Sequence, residues 1–207
     1  MQEIFKTILT AIAGGLALYY LPKLIRFLYL KLNPILVYQF DDDGTDLGAI
    51  LGARRIHHSF GKALTDNKAS NHNAWEHTAD RKNNGHSTCY GPYTKEIPFR
   101  GKYKARFRLK AIGVKNKTDP ILVLDVAYGQ KIENGKYVTL GTPLVEKEIR
   151  GKDLIRGEYQ EFDVKFDYDG QSLIEFRCTV LDPENYKKNV SRILFDNVKV
   201  FQISELI

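Results

Sequence analysis

Trp75, the only tryptophan in the chain, stands in a polar stretch just after Asn71 and Asn73 and ahead of Tyr90 and Tyr93. An indole flanked by tyrosines offers flat apolar faces for stacking on a sugar ring. Asn71, Asn73, Asn83 and Asn84 carry amides that can exchange hydrogen bonds with hydroxyl groups. The same indole is equally suited to filling a core, and the residues alone leave both roles open.

A second group is the basic run Lys102, Lys104, Arg106, Arg108 and Lys110, interleaved with Tyr103, Ala105, Phe107 and Leu109. Side chains on a strand repeat on one face every second residue, about 7 Å apart, so these cations form one stripe. Like charges in line repel unless neighbouring strands answer them, and Asp163, Asp167, Asp169 and Glu175 alternate suitably for that. The stripe is then either a solvated face with cross-strand ion pairs or a patch for acidic lipid headgroups, an acidic glycan or an acidic partner. Nucleic acid ranks low, because no recognition helix or RNA-binding motif accompanies the charge.

Other chemistry finds less support. His57, His58, His72, His77 and His86 lie near Asp66, Glu76, Asp80 and Cys89, but neither His72 with His77 nor His86 with Cys89 has the spacing of a zinc motif. Asp41 to Asp46 lacks the later bidentate glutamate of a calcium loop. No metal site is expected. There is no Gly-x-Ser-x-Gly and no phosphate-cradling glycine loop, so no catalytic residue is assigned. Paired carboxylates meet in space rather than in sequence, and nothing in the residues points to them. Cys89 and Cys178 are too few for a disulfide scaffold and read as two buried thiols, with pairing in an oxidising compartment the alternative.

The elements that must position these groups read as β-strands. From Tyr103 the pattern has period two, and strands are expected at Tyr103–Ala111, Ile121–Ala127, Tyr159–Tyr168, Ser172–Val180 and Arg192–Phe201. Asn134-Gly135, Asp169-Gly170 and Asp182-Pro183 punctuate them. No long amphipathic helix follows residue 40, so an antiparallel sandwich is the simplest architecture. The stretch Thr65 to Thr88 is rich in Asn, Asp, His and Lys and reads mainly as long loops.

Before this domain, Thr7 to Leu21 carries no charge, and apolar residues continue past Pro22 among Lys23, Arg26 and Lys31. About sixteen helical residues span roughly 24 Å, and the continuation with snorkelling cations brings the segment to the ~30 Å of a hydrocarbon core. A cleaved signal peptide would end in small residues, whereas Tyr19, Tyr20, Leu21 and Pro22 fill that place; an in-plane helix suits Lys23 to Leu32 better than the charge-free part. We therefore expect a single-pass membrane anchor at residues 1–32, a polar linker at 33–48 that includes Asp41 to Gly48, and a sandwich at 49–207. The flanking charges lean weakly toward a cytoplasmic domain. The sequons at Asn116 and Asn189 matter only on the other side.

The order of several pieces resembles jelly-roll carbohydrate-binding modules of the galactose-binding-domain-like superfamily, particularly families 35 and 6. The pieces are Ser59-Phe60-Gly61, Asp66, Ala69-Ser70, Ala74-Trp75, Tyr90-Gly91-Pro92-Tyr93, Gly101 to Leu109, Leu124-Asp125-Val126, Tyr159 to Phe162, Ile174 to Arg177 and Phe195 to Val200. The resemblance implies a jelly-roll fold over residues 50 to 201, glycan or partner-protein binding without catalysis, and an extracytoplasmic domain. It also implies a structural calcium held partly by first-strand carboxylates. The comparable position here reads Ala53-Arg54-Arg55, so no cofactor is expected. An accessory subunit of a membrane complex, with the sandwich packed on partner proteins, is the alternative function.

Overall fold

The computed structural model of the chain describes residues 34–39, 57–58, 61–77, 87–91, 96–97, 99–133, 136–139, 142–181 and 188–203. Among these residues the regular elements are almost entirely strands: β1 (Leu36–Gln39), β2 (His57–His58), β3 (Gly61–Thr65), β4 (Asn73–His77), β5 (Ser87–Tyr90), β6 (Gly101–Ile112), β7 (Pro120–Glu133), β8 (Lys136–Thr139), β9 (Pro143–Arg150), β10 (Tyr159–Tyr168), β11 (Leu173–Val180) and β12 (Arg192–Gln202). One sheet runs β10-β6-β12-β4-β3, with β1 also on β12. The other runs β2-β5-β11-β7-β8, with β9 also on β7. Every strand pair is antiparallel. The result is a two-sheet β-sandwich.

Alternation explains the sandwich directly. On β6 the side chains of Tyr103, Ala105, Phe107, Leu109 and Ala111 are fully buried, and on β10 Phe162, Val164, Phe166 and Tyr168 are buried as well. Phe176 of β11 joins the two sheets: its ring lies 6.5 Å from Phe107, 6.2 Å from Phe166 and 5.8 Å from Tyr38. The edge-on contacts with Phe107 and Phe166 and the tilted one with Tyr38 add to the burial of each ring, itself worth about 1.5–3 kcal/mol.

The expected strand over 159–168 matches β10 residue for residue, and β6, β11 and β12 differ from expectation by a residue or two. Other parts need correction. Within the stretch Thr65 to Thr88, 66–72 is loop as expected, but Asn73–His77 forms β4 between β3 and β12 and Ser87–Tyr90 forms β5, while 78–86 lies outside the described residues. β9 was not anticipated. Within the expected linker, residues 36–39 pair with β12, and Tyr38 is buried in the core. No helix long and apolar enough to cross a membrane occurs among the described residues. The anchor expected at residues 1–32 lies outside them.

Candidate functional site

The stripe on β6 faces away from the core, as its alternation requires, and charged and aromatic residues stand among its neighbours in register. On one side Glu161 stands opposite Arg108, Asp163 opposite Arg106 and Asp167 opposite Lys102. Arg106 holds Asp163 with two bonds, Nε to Oδ1 at 2.7 Å and Nη2 to Oδ2 at 3.0 Å, and reaches Glu161 at 3.2 Å. Lys104 shares Asp163 at 3.2 Å. Phe201 lies beneath both cations, 5.0 Å from Lys104 and 5.2 Å from Arg106, and Tyr159 lies 4.3 Å from Arg108 and 4.7 Å from Lys110. Burial raises the carboxyl of Asp163, but the bonds from Arg106 and Lys104 outweigh it, so its pKa falls below the usual value.

At the far end the stripe stops being a surface feature. Lys110 is buried and paired with Asp66, and Arg108 is paired with Asp196, whose side chain is 0% exposed. The register slips between Phe195 and Asn197. This bulge brings two successive side chains within reach of one partner, Ser70 on the β3–β4 loop. Ser70 Oγ donates to Asp196 Oδ1 at 2.7 Å, Ser70 N donates to Asp196 Oδ2 at 3.1 Å, and Asn197 Nδ2 donates to Ser70 Oγ at 2.8 Å. Arg108 Nη2 also donates to the carbonyl of Lys68 at 3.0 Å. Asp66 opens the loop by accepting from Lys68 N at 3.0 Å and from the Tyr159 hydroxyl at 3.2 Å. Burial pushes its pKa up, yet the bonds from Lys110, Lys68 and Tyr159 bring it below the usual value. Under the loop, Ala69 packs with Ala74 and Leu194 as a small second core on the outer face of the sheet.

The clamped loop runs into β4 through the exposed residues Asn71, His72 and Asn73; Asp66 N donates to the His72 carbonyl at 2.8 Å, and Asn73 opens β4 opposite Thr65. His72 has φ 67°, a left-handed conformation uncommon outside glycine. Asn71 Oδ1 accepts from Asn73 N at 3.1 Å. Trp75 follows on β4 and not in a loop; its indole is half-buried against the main core and lies over Gly61, where an added Cβ would come 2.2 Å from Nε1. Tyr90 is half-buried on β5 of the opposite sheet, and Tyr93 lies outside the described residues. Asn71, Asn73 and Trp75 are thus brought to one hairpin, whereas Tyr90 belongs to the other layer.

Glu175 does not answer the stripe as expected. It sits on β11 of the opposite sheet, where Arg177 contacts it at 3.4 Å and Asp125 at 2.6 Å. Burial pushes Asp125 up to about 6 despite Arg177. Both carboxylates are buried at 4% exposure and converge on one arginine, rather than flanking an open cleft as hydrolysis of a glycosidic bond requires. His77 is also buried; its Nδ1 lies 3.0 Å from Thr88 Oγ1, and burial lowers its pKa to about 4. Among the described residues no three His, Cys, Asp or Glu side chains gather to hold a metal. Asp66 and Asp196, which could have joined such a set, are each taken by a cation. Asn189 is buried with its amide donating to Asp119 at 3.1 Å, which closes that sequon to a glycan.

The exposed end of the stripe opens on a cleft of about 540 Å³ between the β10 edge and the start of β9. Lys102, Lys165 and Asp167 form its polar wall, with Leu144, Val145 and Phe166 below.

No family model and no curated protein matches the chain. Solved structures similar in shape include the CBM22-1 xylan-binding domain from Paenibacillus barcinonensis Xyn10C, at TM-score 0.48 and 8% identity over 84% of this chain and 96% of that one. A carbohydrate-binding module from Cellvibrio mixtus lichenase 5A, in complex with cellotriose, scores 0.46 at 10% identity over 83% and 99%. A family 35 carbohydrate-binding module from Clostridium thermocellum scores 0.45 at 14% identity over 81% and 98%. Likeness at this level fixes neither kinship nor ligand.

Two outcomes follow from the charges. Asp196→Ala strands Arg108 and Ser70 and should cost about 3–5 kcal/mol in urea unfolding. Lys62→Ala removes a long contact, 3.8 Å, between an exposed lysine and Glu76, which Arg192 also holds, and should stay within about 0.5 kcal/mol.

A further outcome concerns pH. Asp125 has a raised folded pKa, so its contribution is present below about 4 and is lost as pH rises through about 6. His77 has a lowered folded pKa, so its contribution is present above 6.5 and is lost as pH falls through about 4. The two oppose each other, and the native protein should change little in stability between pH 6.5 and 4. Asp125→Asn should lose stability on acidification across that window, and His77→Gln should gain it, each by about 2–3 kcal/mol in unfolding free energy measured against pH.

Proposed function

We propose that this chain is a non-catalytic binding module that recognises a glycan through the clamped β3–β4 loop and is tethered to a membrane by residues 1–32. The observation that carries the proposal is the use of buried charge to fix an exposed polar turn leading into β4. Asp196, Arg108, Lys110 and Asp66 hold a loop that delivers the exposed Asn71, His72 and Asn73 to the start of β4. A recognition loop fixed before binding loses less freedom when its ligand arrives, which leaves more of the contact energy as affinity. Asn71 and Asn73 supply amides for hydroxyl groups. The exposed part of Trp75 supplies an apolar face, and Tyr90 and Tyr93 are secondary candidates from the other layer.

The ordered pieces of the jelly-roll resemblance support the same reading, since Asp66, Ala69-Ser70 and Asp196-Asn197 are the residues that build the clamp. A glycan ligand favours an extracytoplasmic domain. A second reading, an accessory subunit docked on an acidic partner, is favoured by the cleft of Lys102 and Lys165 at the sheet edge.

The test uses the full chain in mild detergent against arrays of neutral and acidic glycans, followed by calorimetry on any ligand found. Removing both amides, Asn71→Ala with Asn73→Ala, should weaken binding about tenfold or more with little change in the unfolding midpoint. Trp75→Phe should weaken it as well, and is preferred to alanine because the indole also packs on the core. Absence of any glycan ligand, together with co-purification of a stoichiometric partner, contradicts the glycan reading and supports the subunit one.

A further inference from the structure

We propose that Cys89 and Cys178 form a cross-strand disulfide that staples β5 to the centre of the second sheet. The two are direct Cα partners on adjacent antiparallel strands, β5 and β11. Residues directly opposite in such a pair stand about 4.5–5.5 Å apart at Cα, within the 4.4–6.8 Å range that a disulfide spans. Directly opposed side chains also leave the sheet on the same face; both cysteines are 0% exposed in the same core cluster and stand in this structure as free thiols, as the sequence led us to expect, so the bond is the oxidised form of a pair the fold has already brought together. The sequence separates them widely, and only the fold sets them side by side.

The place of the pair makes the bond useful. β5 holds to β11 through a short ladder, Cys178 with Cys89 and Thr179 with Ser87, and the register slips between those two steps. Ser87 and Thr179 of that ladder also share a hydroxyl contact at 2.9 Å, and Phe176 N donates to the Gly91 carbonyl at 2.7 Å just past β5. β2 depends on β5 in turn, since β5 is its partner in the sheet. A covalent link at Cys89 therefore secures the whole β2–β5 margin. β11 is anchored on its other side by an eight-residue ladder to β7 that runs from Leu173 to Val180.

The chemistry is a thiol–disulfide exchange with a protein or small-molecule disulfide as oxidant. The thiolate of one cysteine attacks the oxidant's disulfide, forming a mixed disulfide and releasing the oxidant's first thiol. The second cysteine, as thiolate, then displaces the oxidant's other sulfur. Two S–H bonds are lost and one S–S bond is made; two protons leave, and the two electrons reduce the oxidant to two thiols. Burial raises both thiols far above the usual value, so neither reacts in the closed sandwich, and exchange takes place while the β5 margin is still open during folding.

The test is a glutathione equilibrium on the full chain in detergent, read by mass after quenching in acid and alkylating in denaturant. It is run once under native conditions and once in concentrated urea. The proposal requires the disulfide to be favoured by folding, with an equilibrium constant on the order of a hundredfold higher under native conditions than in urea. An equal or lower constant under native conditions overturns it, because the folded geometry then opposes the bond. The Cys89→Ala chain controls for glutathione adducts at a single site and should show no intramolecular bond. In chain taken directly from its own membrane and alkylated at once, the proposal expects no label on either cysteine before reduction. Two labels there overturn it as a feature of the mature protein.

Discussion

The carboxylate of Asp196 is the constraint on which the rest of the site depends. It is removed from water entirely, so its charge must be met inside the protein, and the structure meets it with Arg108 of β6 and Ser70 of the β3–β4 loop. Leaving any of these unpaired in a low-dielectric setting costs more than the pairing itself returns. One side chain thus ties two neighbouring strands and a distant loop into a single arrangement. The bulge at Asp196 makes this geometry available, because it lets Asn197 reach Ser70 as well.

The same network changes the meaning of the basic stripe. Five cations on one face suggest an anion-binding surface, yet Lys104, Arg106, Arg108 and Lys110 are matched by Asp163, Glu161, Asp196 and Asp66 and seated on Phe201 and Tyr159. Their charge is spent on holding strands and loop together. Lys102, at the exposed end and opposite Asp167, lines an open cleft together with Lys165 and Asp167. The protein therefore separates its charged groups into a structural set at one end of the sheet and an accessible set at the other.

How much of this was legible in the sequence depends on where each strand sits. β10 reads YQEFDVKFDY, and one face is buried while the other meets water, so its alternation is explicit. β9 reads PLVEKEIR and is exposed along most of its length, so the hydrophobic signal that marks a strand is missing. β4 reads NAWEH, where the outer face is covered by the loop and carries Ala74 and Glu76, and its polarity passed for loop. Asp66, Ala69-Ser70 and Asp196-Asn197 were each visible as pieces in order. Their meeting was not, because Ser70 and Asp196 lie 126 residues apart and nothing local marks the bulge that joins them. Glu175 shows the opposite error: alternation gave its face correctly but could not assign its sheet.

Rigidity of the β3–β4 loop is the central physical claim, and amide hydrogen exchange at Ser70 tests it most directly. Ser70 is an exposed loop residue, yet its N–H is bonded to the buried carboxylate of Asp196. The account predicts that this amide exchanges slowly, at least on the order of a hundredfold more slowly than that of Asn67 in the same loop. Exchange at Ser70 as fast as at Asn67 would contradict it, since the clamp would then be open for much of the time.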